Sequence, residues 1–310
     1  LSIKGSDRYA LYILLGSSEE FYIEDGKVKF GPLEPQFKNA TETLHRWYDE
    51  KLLDNNYALV DAVTLDYNIL NGQSGATMIS GGSGLGKWLE TMEGKDGRFN
   101  LTGAKYPKDA SGNPPSTVPF QLPYMGYGSV AISVSCEHPE LAAKFLDYGY
   151  SEEGHMLFNF GIEGKSYEMK DGQAVYTDEI MKNADGLTVS QAMAKYMRVN
   201  YAGPFVQDKQ YIMQYYGREQ QRQALENWMS DYDYNHPRIL PPLTFTTEEA
   251  SEANTLLNDV KKHLSTELTA FISGKRGMDT YDGFISEIKN LGAEKIVAIY
   301  QAAYERYLSR

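Results

Sequence analysis

Thr246-Thr-Glu-Glu249 has the spacing of a capping box, in which a Thr hydroxyl and a Glu carboxylate satisfy free backbone N–H groups at a helix start. It commits the downstream chain to helix: apolar residues recur at helical spacing over 247–273, then 281–291 and 294–308. A further helix is expected over 211–228. The last third is therefore mostly helical, and any strands lie earlier.

Two strand signals do lie earlier. FYIEDGKVKF, residues 21–30, reads as two short strands around Asp25-Gly26, and SYEMKDGQAVYTDE repeats the pattern around Asp171-Gly172. Asp-Gly between such runs is a strong hairpin signal. Over 36–53, Phe37, Ala40, Leu44, Trp47, Tyr48 and Leu52 fall at helical spacing, which assigns Trp47 to a core. His138-Pro139-Glu140 opens a helix whose stripe is Leu141, Ala142, Phe145, Leu146 and Tyr148, and Ser151 caps another that Gly161 stops. Ahead of them, 101–127 is rich in Pro, Gly and Ser and reads as a linker or crossover.

The most ambiguous stretch is SGGSGLGK, 80–87, after GATMIS (75–80), which reads as a buried strand. Gly81 and Gly86-Lys87 fit a phosphate-binding loop, but Trp88 stands where a Ser or Thr hydroxyl would hold magnesium. The dinucleotide pattern and the nucleophile elbow fail as well, since the spacing is G-x-G-x-G and Leu85 ends the would-be elbow. What is left is a backbone-exposing glycine loop, with Ser83 as a hydroxyl and Trp88 one turn on, at the start of a helix over 85–92. Amides, a hydroxyl and an aromatic plate suit a neutral polyhydroxylated ligand. Glycines serving chain geometry alone, with Trp88 packed inward, explain the same residues.

The remaining composition removes other classes. A formal charge of −12 offers no general attraction to nucleic acid or anionic membrane. Cys136 is alone and the five His are scattered, so neither a disulfide nor a metal centre is expected, and no cofactor. Glu19-Glu20, Glu152-Glu153 and Glu248-Glu249 each follow a Ser or Thr and read as helix-start acids rather than catalytic pairs. The 24 Tyr suit partly wet recognition surfaces.

Several blocks resemble the extracellular solute-binding proteins of carbohydrate ABC importers, family 1 type, of the Gram-positive lipoprotein subgroup. They are GPLEPQFKNATETLHRWYDEKLLD, NGQSGATMISG, GSVAISVSCEHPELAAKFLDYGYSEEGHMLFNFGIEGKSY with KDGQAVYTDE, and a tail from LPPLTFTTEEA through ELTAFISGKRGMDTYDGFISEIKNLGAEKIVAIYQAAYERY. The resemblance implies an α/β, type II periplasmic-binding-protein-like sandwich of two lobes with hinge crossovers and a helical C-terminal region. Residues 1–123 would form the larger part of one lobe, 124–243 the hinge crossover and a second-lobe segment, and 244–310 helices packing back on the first.

By the same resemblance, ligand contacts fall on Ser83, Trp88, Tyr124 and Tyr127, with Tyr201 in Asn200-Tyr201-Ala-Gly-Pro204 added. The implied protein is a monomeric, non-enzymatic carrier of an oligosaccharide with ABC permease subunits as partners, extracellular and lipid-anchored in its parent. Family members carry a signal peptide, a lipid-modified cysteine and most of the first lobe ahead of the residue matching Leu1, so this chain is expected to be N-terminally truncated. Two alternatives stay open: a glycan-processing enzyme using acids such as Asp66 or Asp208, and a cell-surface glycan or protein adhesin.

Overall fold

The computed structural model describes residues 1–108, 112, 115, 130–198, 203–231, 233 and 236–310, with Ser83 described by its backbone alone. Along the chain run α1 (Arg8–Leu14), the strands β1 (Phe21–Glu24) and β2 (Lys27–Phe30), α2 (Pro35–Asp49), α3 (Ala62–Leu70) and α4 (Lys87–Met92). Next come α5 (Pro139–Asp147), α6 (Glu152–Phe160), β3 (Tyr167–Lys170), β4 (Gln173–Tyr176), α7 (Asp178–Met181) and α8 (Val189–Met193). Then α9 (Lys209–Tyr215), α10 (Glu219–Met229), α11 (Thr247–Ile272), α12 (Tyr281–Asn290) and α13 (Ala293–Leu308) close the chain. The described elements are thus helix-rich, with strands confined to two hairpins.

Both hairpins form where Asp-Gly predicts them. In the first, Phe21 faces Phe30 and Glu24 faces Lys27; in the second, Tyr167 faces Tyr176 and Lys170 faces Gln173. Each turn needs two residues in the left-handed region: Asp25 and Gly26 stand at φ 50° and 73°, Asp171 and Gly172 at 51° and 77°.

The chain divides into two compact units, Leu1–Gln121 with Ala224–Arg310, and Leu122–Gln223. The chain re-enters the first unit at Ala224, ahead of the boundary at 244 expected from the sequence. The core of this unit joins Phe37 and Leu44 of α2 to Val260, Leu264, Leu268 and Phe271 of α11. That i, i+4, i+8, i+11 recurrence is the buried stripe of α11, and Phe284, Ile288 and Ile296 of the last two helices close over it. Tyr12 stacks on Phe37 with ring centroids 4.2 Å apart. The capping box forms as expected: Thr246 N–H donates to Glu249 Oε2 at 2.9 Å and Glu249 N–H to Thr246 Oγ1 at 3.2 Å.

The other unit has its own core. Phe160, Tyr167, Tyr176, Ile180, Met193 and Tyr211 come together from α6, the second hairpin, α7, α8 and α9. Tyr176 Oη donates to the Asn159 carbonyl at 2.7 Å, and burial drives both its phenol and that of Tyr211 upward, the latter to about 12.

Three sequence expectations need correction here, and one apolar stripe lacks a buried residue. GATMIS is not a strand; its described contact of note is Ser2 N–H donating to the Ala76 carbonyl at 3.1 Å. The expected helix over 211–228 is two, because Tyr216 is extended (ψ 98°) beside Gly217. The stripe of α5 forms but is only half covered, with Leu141 at 65% and Phe145 at 75% exposure, Ala142 and Leu146 half-buried, and no buried residue in the helix. Periodicity specifies an apolar face, and whether that face finds a partner is a separate matter. Glu19 and Glu20 do not start a helix: Glu19 takes a bidentate pair of bonds from Arg8 at 3.0 and 2.9 Å, and Glu20 pairs with Lys261.

Candidate functional site

Gly81–Gly86 is wound as one π-helical turn running directly into α4, rather than left as the open loop the sequence suggests. Leu85 N–H donates to the Ser80 carbonyl at 3.2 Å, and Lys87 N–H is bonded back to Gly82 and Gly84 carbonyls. The amides at the exit are therefore engaged within the turn. A wide turn of this kind forfeits good helical packing and occurs frequently at functional sites. Gly84 is required for steric reasons, since a Cβ there would lie 1.8 Å from Ile79 Cγ1. Ser83 sits in the middle of the turn, and Leu85, 4% exposed, anchors it.

Trp88 takes the inward-packed alternative. It is 1% exposed, among Val60, Leu65 and Ile69, so its faces are covered by protein and it offers no stacking plate in this arrangement. A buried indole N–H needs an acceptor. Asp66 of α3 supplies it: Trp88 Nε1 donates to Asp66 Oδ1 at 2.6 Å, while Lys87 Nζ approaches Asp66 Oδ2 at 2.5 Å. Partial desolvation would raise the Asp66 pKa, but the bonds from Lys87 and Trp88 outweigh it and hold the carboxyl below its ordinary value. Spacing in sequence carries no sign of this link, whose partners stand 21 and 22 residues apart.

Tyr124, Tyr127 and Tyr201 lie outside the described residues, as does the expected crossover at 124–128. Of the five expected contact positions, Ser83 and Trp88 are thus the two the structure describes, Ser83 within the turn and Trp88 in the helix that follows it. Asp208, the other acid considered for catalysis, caps α9 by accepting from Gln210 N–H at 2.7 Å and pairs with His155 Nε2 at 3.0 Å. Asn159, fully buried, joins this cluster by accepting from Asp208 N–H at 2.7 Å. Both candidate acids are therefore engaged in local structure.

A groove of about 370 Å³ in the first unit is lined by Ser2, Asp54, Asn56, Thr64, Asn68 and Ser74 among others. Its polar groups largely bond one another: Asp54 accepts from Ser2 Oγ at 2.7 Å and from Asn68 Nδ2 at 3.3 Å. Among the described residues, no three His, Cys, Asp or Glu gather as a metal site, and no helix is long and apolar enough to cross a membrane.

Comparison with known proteins agrees with the family that the sequence blocks resemble. The family model "Bacterial extracellular solute-binding protein" matches residues 4–156. Lipoprotein LipO of Bacillus subtilis is 24% identical over 215 residues, covering 66% of this chain and 41% of its own length. Among solved structures, the alginate-binding protein AlgQ2 without calcium ion superposes with a TM-score of 0.67 at 20% identity, covering 98% of this chain and 64% of that one. An HMO-binding, ABC-transporter-associated solute-binding protein from Bifidobacterium longum infantis gives 0.63 at 16% identity, covering 96% and 62%. At these identities the superpositions establish the fold, a type II periplasmic-binding-protein-like α/β architecture. The chain spans less than two thirds of the length of each of these relatives.

Proposed function

Proceeding from a chain whose residues 4–156 match the bacterial extracellular solute-binding protein family, we propose that it captures an oligosaccharide or other neutral polyhydroxylated solute for an ABC importer. The family and its solved neighbours are binding proteins of transporters, not enzymes. The observation that carries the reading is the extent of the fold match: solute-binding proteins, one of them named for alginate and one for HMO, superpose on 98% and 96% of this chain. Local chemistry supports it, because Asp66 and Asp208 each hold structural partners, Lys87 with Trp88 and His155.

In this reading the protein works outside the cell, held to the membrane by a lipid anchor, as a monomer that hands its solute to permease subunits. Ser83 in the glycine turn contacts the solute, together with Tyr124, Tyr127 and Tyr201. Trp88 supports that turn from beneath.

Calorimetric titration of the protein against a panel of neutral and acidic oligosaccharides tests the reading. Saturable binding to one glycan class is the expected result. Binding to peptides or cations alone overturns the sugar assignment, and release of reducing sugar abolished by Asp66→Asn or Asp208→Asn would replace the carrier with a glycan-processing enzyme.

A further inference from the structure

We propose that Asp66 is a positioning residue for solute binding: by gripping Lys87 and Trp88 from α3, it holds the glycine turn 81–86 in its binding conformation. The inference rests on the carrier reading, in which that turn contacts the solute.

Four of the six residues from Gly81 to Gly86 are glycine, the residue with the most conformational freedom to lose on ordering. Beyond buried Leu85 within it, such a turn depends on its flanks to hold one shape. At its entry, Ile79 packs against Gly84 so closely that no Cβ fits between them. At its exit, Lys87 and Trp88 follow Gly86 directly, and one carboxylate holds both, Oδ2 on the ammonium at 2.5 Å and Oδ1 on the indole N–H at 2.6 Å.

The two bonds differ in kind. The indole is buried within a cluster that includes Leu65 and Ile69 of α3, so its bond to Asp66 is directional and desolvated. Lys87 is 54% exposed, and its ion pair adds charge with weaker geometric control. The position of α3 is thereby transmitted to the first residues of α4 and hence to the turn. Without the carboxylate, the indole N–H loses its acceptor and the turn is released to sample other shapes.

A turn that is binding-competent only part of the time lowers apparent affinity by that fraction. The loss falls on the association rate, since a complex formed from the competent shape dissociates as before. That separates positioning from lost solute contacts, which raise the dissociation rate.

The test compares the wild-type chain with Asp66→Ala, Asp66→Asn and Lys87→Met. Hydrogen exchange of amides 81–88 is followed without ligand, and association and dissociation rates are measured for the glycan identified by calorimetry. Asp66→Asn keeps an acceptor for the indole and Lys87→Met keeps the Trp88 bond, so both are controls, and Trp88→Phe, which removes the indole N–H and keeps an aromatic ring, serves where Asp66→Ala fails to fold and should match its expected effect.

For Asp66→Ala we expect about tenfold or greater faster exchange in the turn and about tenfold slower association, with dissociation unchanged. Asp66→Asn should recover most of both, and Lys87→Met should lie near wild type. Unchanged exchange, or faster exchange with unchanged association, overturns the role of Asp66 and leaves the carrier reading intact. A wild-type protein that binds no glycan removes the carrier reading and this inference with it.

Discussion

Arg276 and Glu287 meet at 2.9 Å between Nη2 and Oε1, while Arg276 Nη1 reaches Glu267 Oε2 at 2.6 Å and its guanidinium lies 4.9 Å from the Phe271 ring centroid. His263 Nε2 approaches the same Glu287 at 2.9 Å. The pairing ties α11, the loop after it and α12 together. The hydrogen bond from Arg276, ahead of that from His263, holds the Glu287 carboxyl below the usual glutamate range. A depressed folded pKa favours the ionised form in the fold. Its stabilisation is complete above the unfolded value of about 4.3 and is lost as pH falls through the folded pKa. With Glu287 44% exposed, the contribution at pH 7 is at most about 1 kcal/mol. Thermal unfolding of wild type and Glu287→Gln should therefore differ most at neutral pH and converge in acid.

Gly84→Ala should destabilise the first unit by roughly 1–3 kcal/mol, because its Cβ would lie 1.8 Å from Ile79 Cγ1. Gly75→Ala meets nothing within 4 Å and should be close to neutral. Thermal denaturation of the two variants makes the comparison. Equal stability would remove the close approach that shapes the turn.

Two amphipathic helices should respond to very different degrees to the same kind of truncation. Leu268→Ala removes a fully buried side chain of α11 and should cost about 2–5 kcal/mol. Phe145→Ala on α5, at 75% exposure, should change stability by less than about 0.5 kcal/mol. Chemical denaturation followed by circular dichroism reads both. A large loss at Phe145 would mean that its face is covered in solution.

Tyr176→Phe should cost about 1 kcal/mol, since it leaves the Asn159 carbonyl without the hydroxyl that donates to it at 2.7 Å. Ring packing against Phe160 is retained in the variant, so the change isolates the hydrogen bond. Unfolding of wild type and variant under identical buffer conditions measures it.

Much of the local structure was legible in the residues themselves. The hairpins followed from Asp25-Gly26 and Asp171-Gly172, and the start of α11 from Thr246 and Glu249, because turns and caps are settled by residues within a few positions of one another. The resemblance was legible too, from blocks that overlap residues 4–156, which the solute-binding family model matches. The candidate site was less so. Trp88 fitted a stacking plate and a core residue equally well by position, and only the covering residues Val60, Leu65 and Ile69 decide between them.

The sequence by itself determined both hairpins and the starts of several helices, among them α5, α6 and α11, since turn chemistry and capping act over short separations, whereas α1, α3, α7 and α8 were not anticipated from it. Tertiary structure alone decided which apolar faces are buried. The stripe of α11 meets α2, α12 and α13, whereas that of α5 leaves Leu141 and Phe145 exposed, because hydrophobic burial is non-directional and a pattern does not name its partner. It also decided the acceptor for the Trp88 indole. Any of many carboxylates or carbonyls could satisfy that N–H, and the path of the chain brings Asp66 to 2.6 Å.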